Sequence, residues 1–391
     1  MSSGILKYCD RAKPGTTRSS SDCLTIYYNT YSINRFFGNC YFFSSLNLRL
    51  ILYKIIQDSE ISLEFHFPLA QGWDREQLLL TSEYASKIGS AAVVILHQGQ
   101  LLMEWGKTAK RINSHSVRKS LLSALYGIAV ERKLIDLSST LEDLEIDDVE
   151  PFLTTEEKKA TVADLLTSRS GIYHNAAYET FNAKKTRPAR GSHQPGTFFY
   201  YNNWDFNALG SIFEKSTKLS IGQAFESWIA NPIGMQDFRA EDVQYVVEKS
   251  SLHPAYPFWI TARDLARFGL LYQNQGNWNG KQIVPAHWIE ESIRCYSTMG
   301  KGGYGYMWWL GIIREGSYFA AGTGGQYLIV APKQELVLVN RVDTGKRAER
   351  GYSLEFIIWF LLRKKLKGKS LNRLLEMILA ANPSEKEGYS D

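Results

Sequence analysis

Apolar and polar positions follow two different periods along this chain, and the changes of period divide it into elements. Trp73 to Ile88 reads as a first helix, with Asp74 near its start. Ala91 to Gly106 reads as two strands around a His97-Gln98-Gly99 turn, a hairpin. The apolar run Leu121 to Val130 predicts a helix opening at Ser116-Val117-Arg118-Lys119, and helices and loops dominate from there to about Glu291. Strand patterns return at Gly305–Ile313, Ser317–Ala321, Gln326–Ala331 and Glu335–Arg341. Glu349 to Leu366 reads as an amphipathic helix able to cover a sheet, and its run Phe356 to Leu362 reads as core rather than as a membrane anchor.

Residues 1–71 mix Ser-rich and aromatic stretches and read as an extension of uncertain order. Within them Leu48 to Ile56 carries two charges and is too short to span a bilayer. No charged start, apolar stretch and cleavage site line up at the beginning, so the sequence favours a cytoplasmic over a periplasmic location. Residues 382–391 form a polar tail.

Composition narrows the function by exclusion. A chain of 391 residues can bury one large or two intermixed cores. A net charge of +5, from 45 basic and 40 acidic residues, carries no nucleic-acid signal. The basic clusters at Lys184–Arg190 and Arg363–Lys367 lack interleaved aromatics and read as solvated faces. The 4 cysteines give no metal-ligand spacing and no disulfide framework, and the 7 histidines are scattered. No cofactor or metal is implied.

Three segments carry chemistry. In a helix, Ser116 and Lys119 lie on one face, so a lysine with a lowered pKa could take the serine proton. Free N–H groups at the helix start could bind an oxyanion, and the positive end would lower the lysine pKa further. A bland alternative makes Ser116 a helix cap. After the Pro195-Gly196 turn, Tyr201 and Asn203 form a Tyr-x-Asn element in a loop before a helical pattern. Near the end, Gly322-Thr323-Gly324-Gly325-Gln326 forms a glycine-rich strand that another backbone could approach closely. His115 adjoins Ser116, but sequence neighbours at a helix start point apart, and no Gly-x-Ser-x-Gly elbow exists.

In this order the three segments resemble the serine β-lactamase and penicillin-binding-protein superfamily, with its Ser-x-x-Lys, Tyr-x-Asn and Lys-Thr-Gly motifs. The resemblance runs from about Gly72 to Ala381 and includes Ala163–Gly171, Trp259–Gly269 and Gly276–Val284. It is nearest the class C-like branch of carboxylesterases, D-amino-acid peptidases and nylon-oligomer hydrolases. The resemblance implies an α+β, β-lactamase/transpeptidase-like fold, with an antiparallel sheet flanked by N- and C-terminal helices. Residues 72–115 and 292–381 would form the sheet domain and 116–291 an inserted, mainly helical one.

The family resemblance also implies roles. Ser116 would attack a carbonyl, and Lys119 with Tyr201 would handle its proton, Lys119 lowering the Tyr201 pKa from about 10. Asn203 would bond Lys119 or the substrate, and the N–H groups of Ser116 and Gly325 would form an oxyanion hole. Gly322, Thr323 and Gly324 form the third motif. Gly322 stands where penicillin-recognising members carry a cation, which removes a contact worth about 1.5–3 kcal/mol for a substrate carboxylate. A small neutral ester or amide is therefore expected. The alternatives are a β-lactamase or D-alanyl-D-alanine carboxypeptidase, and a catalytically silent binding relative. Tyr173, His174, Tyr256, Phe258 and Trp259 are candidate pocket residues because they are aromatic and sit in family-like loop segments.

Overall fold

The computed structural model describes residues 3–8, 24–29, 72–311, 316–345, 347–348, 351–352 and 368–382. The chain divides into two compact units, Met1–Ser62 and Leu63–Asp391. In the first, β1 (Ser3–Tyr8) and β2 (Leu24–Asn29) pair antiparallel, with Ser3 opposite Asn29.

The second unit opens with α1 (Arg75–Lys87), capped by Asp74, whose Oδ1 accepts the Gln77 N–H at 3.1 Å. The hairpin β3 (Ala92–His97) and β4 (Gln100–Gly106) turns through Gln98 and Gly99, both at positive φ. Next come β5 (Ile112–Asn113) and α2 (Arg118–Glu131). Four helices follow: α3 (Val162–Leu166), α4 (Phe181–Thr186), α5 (Asn203–Thr217) and α6 (Ile221–Phe225). Then come β6 (Trp259–Ile260), α7 (Ala262–Gln273), the small hairpin β7 (Asn277–Trp278) and β8 (Lys281–Gln282), and α8 (Ala286–Ser292). The chain returns through β9 (Ser297–Met299), β10 (Gly302–Tyr304), β11 (Trp309–Leu310), β12 (Tyr318–Gly322), β13 (Gln326–Ala331) and β14 (Leu336–Arg341). The last elements are the pair β15 (Arg347–Ala348) and β16 (Gly351–Tyr352), and α9 (Gly368–Ala380).

One eight-stranded antiparallel sheet organises the second unit, in the order β4-β3-β14-β13-β12-β11-β10-β9. Its central strands are apolar on both faces, and period-two alternation sorts them between two cores. Val94, Leu328, Val330, Val337 and Val339 face the core shared with α2, α5 and α7. Val93, Ile95, Ile329, Leu336 and Leu338 face the core shared with α1 and α9. In α9 the buried set Leu371, Leu374, Leu375, Ile378 and Leu379 follows helical spacing, so one stripe of the helix lies on the sheet. The result is three layers, with the sheet in the middle.

The expected first helix, hairpin and strands at 317–321, 326–331 and 335–341 are all present within one or two residues. The expected strand Gly305–Ile313 is not continuous. Gly305 to Trp308 leave the ladder, because Tyr306 N–H bonds Ser292 O at 2.9 Å, Met307 N–H bonds Leu166 O at 3.2 Å, and Ser120 Oγ donates to Met307 O at 2.7 Å. These long-range partners turn the segment into a hairpin that places Tyr304 opposite Trp309. Of the expected helix Glu349–Leu366, residues 351–352 are strand, and 349–350 and 353–366 lie outside the described residues. α9, which the sequence pattern did not single out, covers one face of the sheet. Among the described residues no helix is long and apolar enough to cross a membrane.

The helix α7 packs on β13 and β14 through Gly269. A Cβ there would lie 2.5 Å from Val337 Cγ1 and 2.7 Å from Leu328 Cδ1. Gly269→Val should therefore lower unfolding stability by about 1–3 kcal/mol, as overpacked cores do. Urea unfolding with an unchanged m-value would check it; a stability equal to wild type would mean that the two layers are not in close contact at this point.

Candidate active site

The site begins with a sharp turn. Asn113 Oδ1 accepts the His115 N–H at 2.8 Å, and His115 adopts φ +48 before a single 3₁₀ turn, His115–Val117. A left-handed non-glycine residue of this kind stores strain that its surroundings must hold. They do so from two sides. The His115 ring lies 2.9 Å from Thr344 Oγ1 through Nε2 and 3.0 Å from Tyr178 Oη through Nδ1, while Asn113 Nδ2 donates to the same Tyr178 oxygen at 3.0 Å. The turn leaves Ser116 half-buried and α2 starting at Arg118, two residues after the expected helix opening.

Lys119 is in the first turn of α2, a helix buried on all sides from Arg118 to Ala129, and is only 2 % exposed. Its Nζ has three oxygen neighbours: Ser116 Oγ at 2.9 Å, Tyr201 Oη at 2.7 Å and Asn203 Oδ1 at 2.9 Å. The faces of Tyr201 and Phe206 complete the enclosure, with ring centroids 4.4 and 4.5 Å from Nζ. Burial, and secondly the Arg118 charge, push the Lys119 ammonium well below its usual range. A lysine of lowered pKa is what the sequence pattern leads one to expect; the second contribution comes from Arg118, where the pattern pointed to the helix N-terminus.

Tyr201 and Asn203 straddle the cap of α5. The residue between them, Asn202, is the cap itself: its Oδ1 accepts the Trp204 N–H at 3.0 Å. The Ser168–Gly171 segment holds this loop in place. Ser168 Oγ donates to Tyr200 O at 2.8 Å and accepts the Asn202 N–H at 3.1 Å, while Ser170 Oγ donates to Asp205 at 2.6 Å. Asn203 Nδ2 donates to Tyr178 O at 3.0 Å, which fixes its Oδ1 toward Lys119.

Burial raises the Tyr201 phenol to about 12, with only partial offsets from Ser116 and Arg118. The expectation that Lys119 lowers the Tyr201 pKa is therefore reversed. Burial is the largest cause of the Tyr201 shift, and the charge that partly offsets it is that of Arg118.

The third segment meets the first at Gly322. A Cβ there would lie 2.4 Å from Ser114 O and 3.2 Å from His115 Cβ, so β12 presses directly on the serine turn. Gly324 and Gly325 turn the strand at φ +85 and +99, conformations open to glycine. The Gly325 carbonyl accepts from Asn340 Nδ2 at 2.8 Å. Its N–H faces Gly322 O at 3.3 Å, so the expected oxyanion donor is engaged inside its own turn.

A family model for β-lactamase matches residues 75–355, most of the chain. The chain belongs to the β-lactamase family. Three solved structures share the fold of this β-lactamase-family protein. A family VIII carboxylesterase superposes with TM-score 0.56 at 16 % identity, over 81 % of this chain and 100 % of its own. A penicillin-binding-protein homologue from Caulobacter crescentus gives 0.55 at 13 %, over 81 % and 100 %. A Bacillus anthracis protein provisionally assigned as a 6-aminohexanoate-dimer hydrolase gives 0.54 at 21 %, over 84 % and 94 %.

Four of the five expected pocket residues in this family member are buried instead of lining a cleft. Tyr256 and Phe258 are fully enclosed; Tyr256 donates to Phe206 O, and Phe258 packs against Phe225 and Phe238. Tyr173 bonds His193 and stacks edge-on to Tyr200, and His174 lies 3.5 Å from Glu157. Aromatic residues near a motif satisfy the core first. Trp259 is half-buried, paired through its backbone with Asn113.

Besides the buried Phe206 and Tyr304, the half-buried Trp309 touches the constellation, stacked on Tyr201 with centroids 5.2 Å apart. Tyr178 was missed as well. The signal for Trp309 was its place in a strand ending beside the Gly322 strand; for Tyr178 the sequence holds none, because its partners are 63 and 65 residues away.

Gly322→Lys would add the missing cation but collides with Ser114 O, a backbone atom that cannot move without the serine turn. The expected result is a loss of at least about tenfold in kcat/KM on any substrate, with no gain on β-lactams. Steady-state rates for an ester and for nitrocefin would check it, and a gain on nitrocefin would contradict the packing.

Proposed function

We propose that this β-lactamase-family chain is a serine hydrolase that cleaves a small neutral ester or amide through an acyl-enzyme on Ser116. The carrying observation is the enclosed Lys119 amine within hydrogen-bond reach of both Ser116 Oγ and Tyr201 Oη. Asn203 Oδ1 can only accept, so it takes one N–H of the free amine. One N–H and the lone pair remain for the two hydroxyls. With the lone pair toward Ser116, Nζ takes the serine proton as Oγ attacks the carbonyl. Tyr201, kept as a phenol by burial, donates its proton to the leaving group and is reprotonated from Lys119. Water then attacks the acyl carbon as the same amine takes its proton; the bond to Ser116 Oγ breaks, the acid leaves, and Lys119 returns the proton to Oγ.

The Ser116 N–H serves the oxyanion, and Gly325 joins it by exchanging its long 3.3 Å bond to Gly322 O. A neutral substrate is supported by Gly322, which offers neither a cation nor space for one. The names of two fold neighbours, a family VIII carboxylesterase and a protein provisionally assigned as a 6-aminohexanoate-dimer hydrolase, agree with that class. A penicillin-recognising activity is disfavoured by the same glycine, and a silent relative by the intact contacts of Lys119.

Turnover of p-nitrophenyl acetate and butyrate, with intact-mass detection of an acyl adduct, tests the reading. Ser116→Ala should lose about 10³-fold or more and form no adduct. Retained activity in Ser116→Ala would remove the nucleophile assignment. The pH dependence follows from the shifts: the base works only deprotonated, so activity should fall only well to the acid side of ordinary lysine titration. The acid works only protonated, so the rate should hold until the phenol titrates near pH 12 or the protein unfolds. A rate climbing with pH up to the ordinary lysine range would show that Lys119 is not the base.

A further inference from the structure

Arg118 is the residue that the mechanism above leaves unused, and its surroundings are unusual. It is 1 % exposed, and among the described residues it has no carboxylate partner. Nη2 donates to Asn207 Oδ1 at 2.8 Å, and the guanidinium lies 4.2 Å above the Tyr256 ring. Nε and Nη1 are buried with no hydrogen-bond partner at all. A buried guanidinium left unneutralised and under-bonded is costly, and replacing such a group with a neutral one is often neutral or stabilising. Stability alone does not account for it.

We propose that Arg118 is a positioning residue whose buried, unneutralised charge holds its neighbour Lys119 as the free amine that takes the Ser116 proton. The proposal rests on the Ser116–Lys119 reading above. Every element packed on Lys119 supports it by what it lacks. The loop and helix at 201–207 present Tyr201, Asn203, Phe206 and Asp205. Burial keeps the Tyr201 phenol up at about 12, and the Asp205 carboxyl is turned away to Ser170 Oγ and Asn202 Nδ2, whose hydrogen bonds its Oδ1 accepts at 2.6 and 3.0 Å. Tyr256 and Tyr304, from the neighbouring segments, are likewise held as phenols by burial. On the adjoining turn the His115 ring faces Tyr178 and Thr344. Among the described residues no carboxylate is hydrogen-bonded to Arg118 or to Lys119 Nζ, and like charges in a dry interior disfavour a second cation strongly.

The test needs no knowledge of the natural substrate. A fluorophosphonate probe labels an activated serine, so its rate of reaction with Ser116 against pH, followed by intact mass, reports the free-amine fraction of Lys119. Two variants remove the Arg118 charge by different routes. Arg118→Gln deletes it, and Asn207→Asp neutralises it in place by setting a carboxylate 2.8 Å from Nη2 at nearly unchanged volume. In both, the acid-side midpoint of labelling should move up by about one pH unit, with the alkaline plateau little changed. The readout is the shift between variant and wild type, so any His115 titration common to both cancels. Should Arg118→Gln fail to fold, Asn207→Asp carries the test alone. A midpoint that stays put in a folded variant, or a lowered plateau with an unmoved midpoint, overturns the proposal and leaves Arg118 a packing role. A wild type that takes no label instead overturns the Ser116 reading itself.

Discussion

One constraint governs the centre of this molecule: an amine must be kept out of water with no counter-ion. A solvated lysine is charged and useless as a base, whereas one paired with a carboxylate would be charged more firmly still. Lys119 Nζ is enclosed by three uncharged oxygens and two aromatic faces, and those oxygens belong to the groups that the proposed chemistry uses. Enclosure of this kind requires walls from distant parts of the chain. The helix α2 brings the lysine, the cap of α5 brings Tyr201 and Asn203, and the strand β12 closes against the serine turn.

The supporting layer explains why so much polar structure surrounds a small site. Ser168 and Ser170 pin the Tyr201 loop, and Asn113, Tyr178 and Thr344 hold His115 in a left-handed conformation. Arg341, fully buried, joins the edges of the site: it donates to Gln326 Oε1, Ile260 O and Ile112 O. That one side chain ties the glycine-rich strand to the short β5–β6 pair carrying the serine turn. The geometry around Ser116 and Lys119 is thus fixed by groups that do not themselves contact Lys119 Nζ.

What the sequence made legible follows from how local each signal is. Ser116 and Lys119 are three apart on one chain segment, and the central strands announce themselves as short β-rich runs; both could be read directly. The order of the motifs carried Tyr201 and Asn203 to the same place. Signals that depend on partners far away in sequence failed. The strand expected at 305–313 is broken by bonds to Ser292, Leu166 and Ser120. The aromatic residues proposed for the pocket, such as Tyr256 and Phe258, were claimed by the core. The direction of the Tyr201 shift depends on burial, which composition near a motif does not reveal. The missed helix α9 is a different case: its stripe from Leu371 to Leu379 was readable, but the sheet-covering role had already been given to the preceding apolar run.

The central pairing of the sheet has a consequence for how the molecule comes into being. The strand β3 lies beside β14, with Val94 opposite Val339, so residues 92–97 wait for residues 336–341 before either has its neighbour. Everything that forms the helical core is synthesised between them. Contacts that close so long a loop make folding slow and leave apolar strands exposed in the interval. The serine turn is completed from the same late segment, through Gly322 and Thr344. A nascent chain therefore carries Ser116, the proposed nucleophile, for more than half of its synthesis without the groups proposed to arm it, which come together only when the sheet closes.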